Sequence, residues 1–131
     1  MRRTRALWRI GSLFGLLLTA PLAESAQKPV KLDVVMVDYS FEPDHLTFKH
    51  DVRYQLHLQN KGSETHEFTA PVFFATAAIE NPGILDNRRS EVTLDPGESK
   101  DLFLTPHKRG KYDLRCADHD WNGMVGGITV K

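Results

Sequence analysis

In the segment Arg53–Asn60, polar and apolar residues alternate as far as Gln59, and this pattern constrains the fold more than any other feature. Tyr54, Leu56 and Leu58 occupy every second position, with polar residues between them. Successive side chains of a β-strand point to opposite faces, so this pattern predicts a strand with one face in a core and one in solvent. Half-buried strands of this kind are typical of antiparallel sheets.

Further short segments rich in β-branched and aromatic residues are separated by turn residues. They predict the strands Lys31–Tyr39, Leu46–Phe48, Ser90–Leu94, Lys100–Thr105, Lys111–Cys116 and Gly126–Lys131. Ser40–Asp44 is predicted to break the first of these strands, and Ala70–Arg89 to form an excursion between strands. Alanines within Val72–Glu80 indicate a short helix that ends at Asn81. The sequence therefore predicts an all-β protein, a Greek-key β-sandwich or barrel with one short helical excursion.

The first 25 residues have the three parts of a secretory signal peptide. Four arginines lie within the first nine residues, Ile10–Ala20 is mostly apolar, and the small residues Ala23 and Ser25 fit cleavage after Ser25. An uncleaved membrane anchor is the alternative, but the apolar run is shorter than the ~20 residues of a membrane-spanning helix. We therefore expect a signal peptide at 1–25, one domain at 27–131, a periplasmic location and no stable membrane insertion after the signal is removed.

The charge balance excludes one class of partner. The whole chain has 17 basic and 17 acidic residues, and removing the four leading arginines and Glu24 leaves 13 basic and 16 acidic residues. The mature part has no basic stripe, so a nucleic-acid partner is not expected. A domain of this size is expected to be a monomer.

The chain has a single cysteine, Cys116, which cannot form an internal disulfide. In an exported protein a lone thiol indicates intermolecular pairing, reactivity or a metal. His119 follows three residues later, and Met124 five residues after that. Thiolate, imidazole and thioether on one loop are ligands typical of a blue-copper site, which needs a second histidine from elsewhere. His66, just after the turn that follows Arg53–Asn60, is the best candidate.

Simpler interpretations exist for each of these residues. Cys116 alone is compatible with a buried structural thiol, His66 with a solvated turn histidine, and Met124 with a core side chain. Zinc would use the same cysteine and histidines in a tetrahedral site, but a soft axial methionine favours copper. The remaining histidines are expected at the surface, and they are His45, His50, His57 and His107.

These motifs resemble the cupredoxins, the family of plastocyanin and azurin. The matching segments span essentially the whole domain, and they are Phe41-Glu-Pro, Asn60–His66, Asp95-Pro-Gly-Glu and Gly110–Val130. The resemblance implies a type 1 site that holds one copper ion. It places the two equatorial histidines at His66 and His119, the thiolate at Cys116 and the axial methionine at Met124.

Two positions depart from the familiar members of the family. The residue after the first histidine is Glu67 where plastocyanins and azurins commonly have asparagine, and we interpret it as a neighbour of the ligands or an alternative oxygen ligand. The usual proline between cysteine and histidine is replaced by Asp118. Together with Asp120 it makes the rim of the site acidic, while Trp121 supplies an apolar part.

The ligand set and the resemblance imply a periplasmic carrier of single electrons that cycles between Cu(I) and Cu(II) and is not an enzyme. Redox partner proteins are expected to dock near His119, Asp118, Asp120 and Trp121. The alternative is a copper-binding protein for sequestration, delivery or tolerance. A third interpretation is an accessory domain that acts with an iron or copper transporter.

Overall fold

The computed structural model describes residues 27–131, so the predicted signal peptide lies outside the described residues. Within this range the strands are β1 (Val30–Val37), β2 (Ser40–Glu42), β3 (His45–Phe48), β4 (Tyr54–Asn60), β5 (His66–Thr69), β6 (Ala77–Ile79), β7 (Glu91–Leu94), β8 (Ser99–Pro106), β9 (Gly110–Arg115) and β10 (Val125–Val130). One short helix, α1, spans Pro71–Ala75, and 3₁₀ turns lie at Pro82–Ile84 and Asp120–Asn122.

The strands form two five-stranded sheets. The first has the order β2-β1-β4-β8-β6 and the second the order β3-β10-β9-β5-β7. β1 pairs with β4 in parallel, as β10 does with β3, and the other pairs are antiparallel. Because sequence neighbours are often separated in the sheets, the chain crosses repeatedly between them. The predicted all-β, Greek-key sandwich with one short helix is confirmed.

The core follows the alternation that the sequence shows. Tyr54, Leu56 and Leu58 of β4 are buried, while the residues between them are partly exposed. Phe48 of the second sheet packs its ring against Tyr54 of the first at 4.8 Å between centroids, and against Phe73 of α1 at 5.1 Å. One continuous apolar layer therefore holds the sheets and the helix together.

β5 departs from the alternation because all four of its residues, His66–Thr69, are buried. This strand lies inside the second sheet, where all four of its residues pair with β7 and Thr69 also pairs with β9. The first predicted ligand, His66, consequently enters the protein interior at the first residue of the strand.

Two local predictions were wrong. Ser40–Glu42 does not simply break the first strand but pairs with it as β2, with Phe41 opposite Met36 and buried in the core. The helix predicted within Val72–Glu80 ends at Ala75, and Ala77–Ile79 instead pairs with β8 as an edge strand. In both cases pairing with a neighbouring strand outweighs the local preference of a very short segment.

Candidate metal centre

The register of the second sheet brings His66 close to Cys116. β5 and β9 are antiparallel, and Thr69 lies opposite Arg115. In such a pair, moving back along β5 to His66 corresponds to moving forward along β9 into the loop that begins at Cys116. Two residues far apart in the sequence therefore meet at one end of the sheet.

The loop after β9 is closed by its own backbone. The N–H of Cys116 donates to the carbonyl of Met124 at 3.0 Å, and the N–H of Met124 donates to the carbonyl of His119 at 3.3 Å. After the 3₁₀ turn, Gly123 has φ 86°, in the left-handed region that favours glycine. The chain thus returns to β10 with Cys116 and Met124 both fully buried.

Three side chains converge on one point. His66 Nδ1 and His119 Nδ1 are 3.3 Å apart, and Cys116 Sγ lies 3.8 Å from the first and 3.4 Å from the second. A point equidistant from the three atoms lies about 2 Å from each, close to the length of metal bonds to histidine nitrogen and cysteine sulfur. Among residues 27–131 this is the one group of histidine, cysteine and acidic side chains compact enough to hold a metal ion.

Each imidazole contacts a carboxylate through its Nε2 atom. His66 Nε2 is 2.6 Å from Asp38 Oδ1, and His119 Nε2 is 3.0 Å from Glu64 Oε2. Hydrogen bonds from the hydroxyl and backbone N–H of Ser63, followed by the bond to His66, hold the pKa of Asp38 well below its ordinary value. The second nitrogen of each ring, Nδ1, is left facing Cys116.

Tyr39 lies against both rings. Its ring centroid is 5.1 Å from that of His119 and 6.3 Å from that of His66. The neighbouring Glu64 carboxylate raises the pKa of the Tyr39 hydroxyl. Together with Glu64, this ring leaves the His119 side chain only 15% exposed.

Glu67 lies next to the thiol and not among the three converging atoms. Its Oε2 is 3.0 Å from Cys116 Sγ and accepts the N–H of Asp118 at 3.2 Å, while its own N–H points to Sγ at 3.4 Å. Burial, and then the Glu67 carboxylate, raise the pKa of the Cys116 thiol to about 11. A metal ion must therefore displace this proton when it binds. Glu67 thus joins β5 to the cysteine loop.

The predicted acidic rim forms part of the surface. Asp118 is exposed, and its carbonyl accepts the indole N–H of Trp121 at 2.8 Å, so the 78%-exposed ring is fixed in orientation. Asp120 is half-buried and pairs with Arg115 at 3.3 Å. The rim consequently presents an acidic and an aromatic group beside each other.

The other four histidines take no part in the converging group. The His45 and His107 side chains are more than half exposed, as expected. His57 is less exposed than predicted, at 18%, because Asp101 Oδ1 lies 2.7 Å from its Nδ1 on the outer face of β4 and β8. His50 is also partly covered, beside Asp51.

Sequence reasoning missed Asp38, Glu64 and Tyr39. Asp38 and Tyr39 were expected to complete the first strand, but β1 ends at Val37 and both residues turn toward the histidines. No spacing marks Asp38, because its partner lies 28 positions away. Glu64 stands two residues before His66, and this proximity is the only signal that the sequence offers.

The family model of the cupredoxin-like domain matches residues 9–130, and the chain belongs to this family. The resemblance predicted from the sequence is therefore confirmed. Copper is the metal of the cupredoxins, and His66, Cys116 and His119 form a group that fits it, so the predicted cofactor is confirmed as well. No curated protein sequence matches the chain significantly.

Solved structures share the fold at low identity. Dithionite-reduced auracyanin from Roseiflexus castenholzii is 16% identical, with 80% of this chain and 99% of that chain covered and a TM-score of 0.59. Auracyanin A from Chloroflexus aurantiacus, described as a "blue" copper protein, is 12% identical, with 79% and 100% covered and a TM-score of 0.57. A multicopper oxidase from Campylobacter jejuni is 15% identical over 82% of this chain and 31% of its own, with a TM-score of 0.61.

Proposed function

We propose that this protein is a periplasmic type 1 copper protein that carries single electrons between redox partners. His66, Cys116 and His119 are the proposed equatorial ligands and Met124 the axial one. The observation that carries the proposal is the triangle of two Nδ1 atoms and one Sγ with sides of 3.3 to 3.8 Å. Two imidazoles and a thiolate in one plane, with a weak thioether beyond it, define a blue-copper site.

The surrounding chain suits a carrier because it holds the ligands still. His66 and Cys116 are fully buried, and the cysteine loop is closed by backbone hydrogen bonds. Bound copper would supply a one-electron couple between Cu(I) and Cu(II). A rigid ligand frame favours such a couple, because neither oxidation state requires the side chains to move. Glu67, in this proposal, links the two ligand segments and is not itself a ligand.

We propose a carrier and not an enzyme because the protein itself supplies all four proposed ligands. A catalytic metal site keeps an open position for water or substrate, as zinc enzymes illustrate. Electrons would instead pass through the rim near His119. Partner proteins are proposed to dock at Asp118, Asp120 and Trp121, where acidic and aromatic groups lie side by side, and the protein is proposed to act as a monomer.

The periplasmic assignment rests on the leader at 1–25, with its basic start, apolar run and small residues. No helix in residues 27–131 is long and apolar enough to span a bilayer. Fractionation of cells that express the full chain tests the assignment. Mature protein released with the periplasmic contents supports it, while an uncleaved chain in the membrane fraction contradicts it.

The copper site is tested by visible absorption, EPR and voltammetry of the copper-loaded protein. We expect strong thiolate-to-copper charge transfer and a reversible one-electron wave. Cys116→Ser should abolish the charge-transfer band, and Met124→Leu should retain it with a shifted potential. His45→Ala is the control, because that exposed histidine lies outside the group. A copper-loaded wild type that lacks both the band and the wave contradicts the proposal.

Copper sequestration, delivery or tolerance is the alternative that uses the same ligands. A deletion strain separates the two roles. Loss of an electron-transfer pathway at ordinary copper levels supports the carrier. Copper sensitivity with intact respiration supports copper handling. The closed, buried ligand loop favours the carrier, because rapid exchange of the metal would require this loop to open.

A further inference from the structure

In both proposed histidine ligands, the nitrogen that faces away from Cys116 contacts a carboxylate. Asp38 Oδ1 lies 2.6 Å from His66 Nε2, and Glu64 Oε2 lies 3.0 Å from His119 Nε2. Neutral imidazole carries its proton on one nitrogen and a lone pair on the other. A carboxylate can only accept this hydrogen bond, so a neutral ring beside it carries its proton on Nε2 and its lone pair on Nδ1.

The fold holds the Asp38 carboxylate directly and, for Glu64, the turn from which its side chain extends. Asp38 Oδ2 accepts the backbone N–H of Ser63 at 2.9 Å, together with the Ser63 hydroxyl. The turn that carries Ser63 and Glu64 is tied down by Asn60, whose amide donates to the Glu64 carbonyl at 2.8 Å and whose Oδ1 accepts the N–H of Gly62 at 2.9 Å. The Asp38 carboxylate and the backbone at Glu64 are therefore in place without a metal ion.

We propose that Asp38 and Glu64 are positioning residues of the copper centre, which orient its two histidines and set its reduction potential. This inference rests on the proposed function. Each acid fixes the Nε2–H tautomer and aims the Nδ1 lone pair at the point shared with Cys116. Each also places negative charge behind a ligand, which makes the imidazole a stronger donor and favours Cu(II) over Cu(I).

Glu64 has a second effect, because it covers the edge of His119. Tyr39 packs on the same ring, and the two side chains leave little of the imidazole in solvent. The ligand nearest the surface is thereby held in place on both sides. Both carboxylates thus belong to the centre, although neither contacts the point where the three ligand atoms meet.

The orientation is tested on the metal-free protein by ¹⁵N NMR of the histidine rings. In the wild type we expect His66 and His119 to be protonated at Nε2 and free at Nδ1. Asp38→Ala and Glu64→Ala remove the acceptor, so each should produce a population with the proton on Nδ1 of its own partner ring. The same two variants should lower copper affinity by about 10–100-fold, as loss of such partners does at other metal sites.

The charge effect is tested with Asp38→Asn and Glu64→Gln, which keep an acceptor oxygen but remove the charge. Both should preserve the tautomer and raise the reduction potential of the copper-loaded protein. A tenfold loss of Cu(II) affinity relative to Cu(I) corresponds to a rise of about 59 mV. Asp51→Asn is the matched control, because Asp51 also pairs with a histidine, His107, but at the other end of β4.

The outcomes separate this inference from the proposed function. A wild type with no type 1 spectrum overturns the proposed function, while the NMR measurement still tests the orientation. The positioning role is overturned if the wild type has that spectrum but the alanine variants keep the wild-type tautomers and copper affinities. If Asp38→Asn and Glu64→Gln have the same reduction potential as Asp51→Asn, the proposed effect of the two charges on the potential is overturned. The Glu64 side chain is 48% exposed, so its variants remain folded and carry the test even where Asp38 variants are unstable.

Discussion

Gly62 offers a way to disturb the Asp38–His66 pair without changing either residue. A methyl group built at this glycine would overlap the Asp38 carboxylate and lie 2.8 Å from His66 Nε2. The backbone of Gly62 is not in the left-handed region, so strain from the backbone does not contribute. Gly62→Ala should therefore act only through space, by forcing the carboxylate away from the imidazole.

Two magnitudes follow from this geometry. Overpacking by one methyl group in a filled site costs about 1–3 kcal/mol in the free energy of unfolding. Loss of the carboxylate partner of a metal-binding histidine lowers metal affinity by about 10–100-fold. We therefore expect Gly62→Ala to lose both stability and copper affinity. Denaturant unfolding of the metal-free protein measures the first, and competition with a copper chelator measures the second.

Gly83→Ala is the matched control for this experiment. Nothing lies within 4 Å of a methyl group at Gly83, and its φ is also outside the left-handed region. This variant should keep wild-type copper affinity and be unchanged or slightly more stable, by about 0.4–1 kcal/mol. If Gly62→Ala behaves like Gly83→Ala in both assays, the Asp38–His66 contact has no role in metal binding and the reasoning is refuted.

Three other perturbations have defined outcomes. Phe48→Ala removes a fully buried ring that packs on Tyr54, and chemical denaturation should show a loss of about 3–5 kcal/mol. Asn60→Ala removes an amide that donates to two backbone carbonyls at 2.8 Å each, and the same assay should show a loss of about 2 kcal/mol or more. Asp51→Asn tests a pH effect, because the hydrogen bond from His107 lowers the pKa of the Asp51 carboxyl. The stability that this bond contributes is present above the ordinary aspartate pKa and is lost as the pH falls through the lower folded-state pKa. The difference between wild type and variant should therefore shrink as the pH drops below about 4.

Each of these predictions has its own control or counter-result. Val72→Ala is the control for Phe48→Ala, and at this 65%-exposed side chain it should change the free energy of unfolding by less than about 0.5 kcal/mol. If Phe48→Ala loses no more stability than Val72→Ala, Phe48 does not stabilise the core. Wild-type stability of Asn60→Ala would show that its hydrogen bonds do not support the turn. Asn tolerates the φ of 58° at Asp51, so the backbone is preserved, and a stability difference independent of pH would contradict the ion-pair reasoning.

The sandwich was predictable because its longer strands repeat a two-residue pattern. β4 and β8 bury every second residue as the sequence indicates, with Leu102 and Leu104 of β8 inward. The errors fell on the end of β1, which stops at Val37, and on the three-residue segments β2 and β6, where local preference is weak. Their strand conformation comes from hydrogen bonds to β1 and β8, which lie elsewhere in the sequence.

The sequence by itself predicted which side chains form the metal site, and the structure brings three of them together at one end of the second sheet. Cys116, His119 and Met124 share one loop, and a thiol, an imidazole and a thioether together are typical of a blue-copper site. His66 was identified from its place after a turn, and the structure brings its Nδ1 to 3.3 Å from His119 Nδ1 and 3.8 Å from Cys116 Sγ. Burial of Met124 agrees with the axial role, which stays a prediction.

Only the tertiary structure decided what surrounds these ligands. Asp38 reaches His66 because the end of β1 lies near the start of β5 in the other sheet, and Tyr39 reaches both histidines for the same reason. Because these contacts join residues with no regular spacing, a periodic pattern in the sequence does not predict them. The type of a side chain is enough to predict a metal ligand from the sequence, whereas the residue that orients this ligand is identified only from the folded structure.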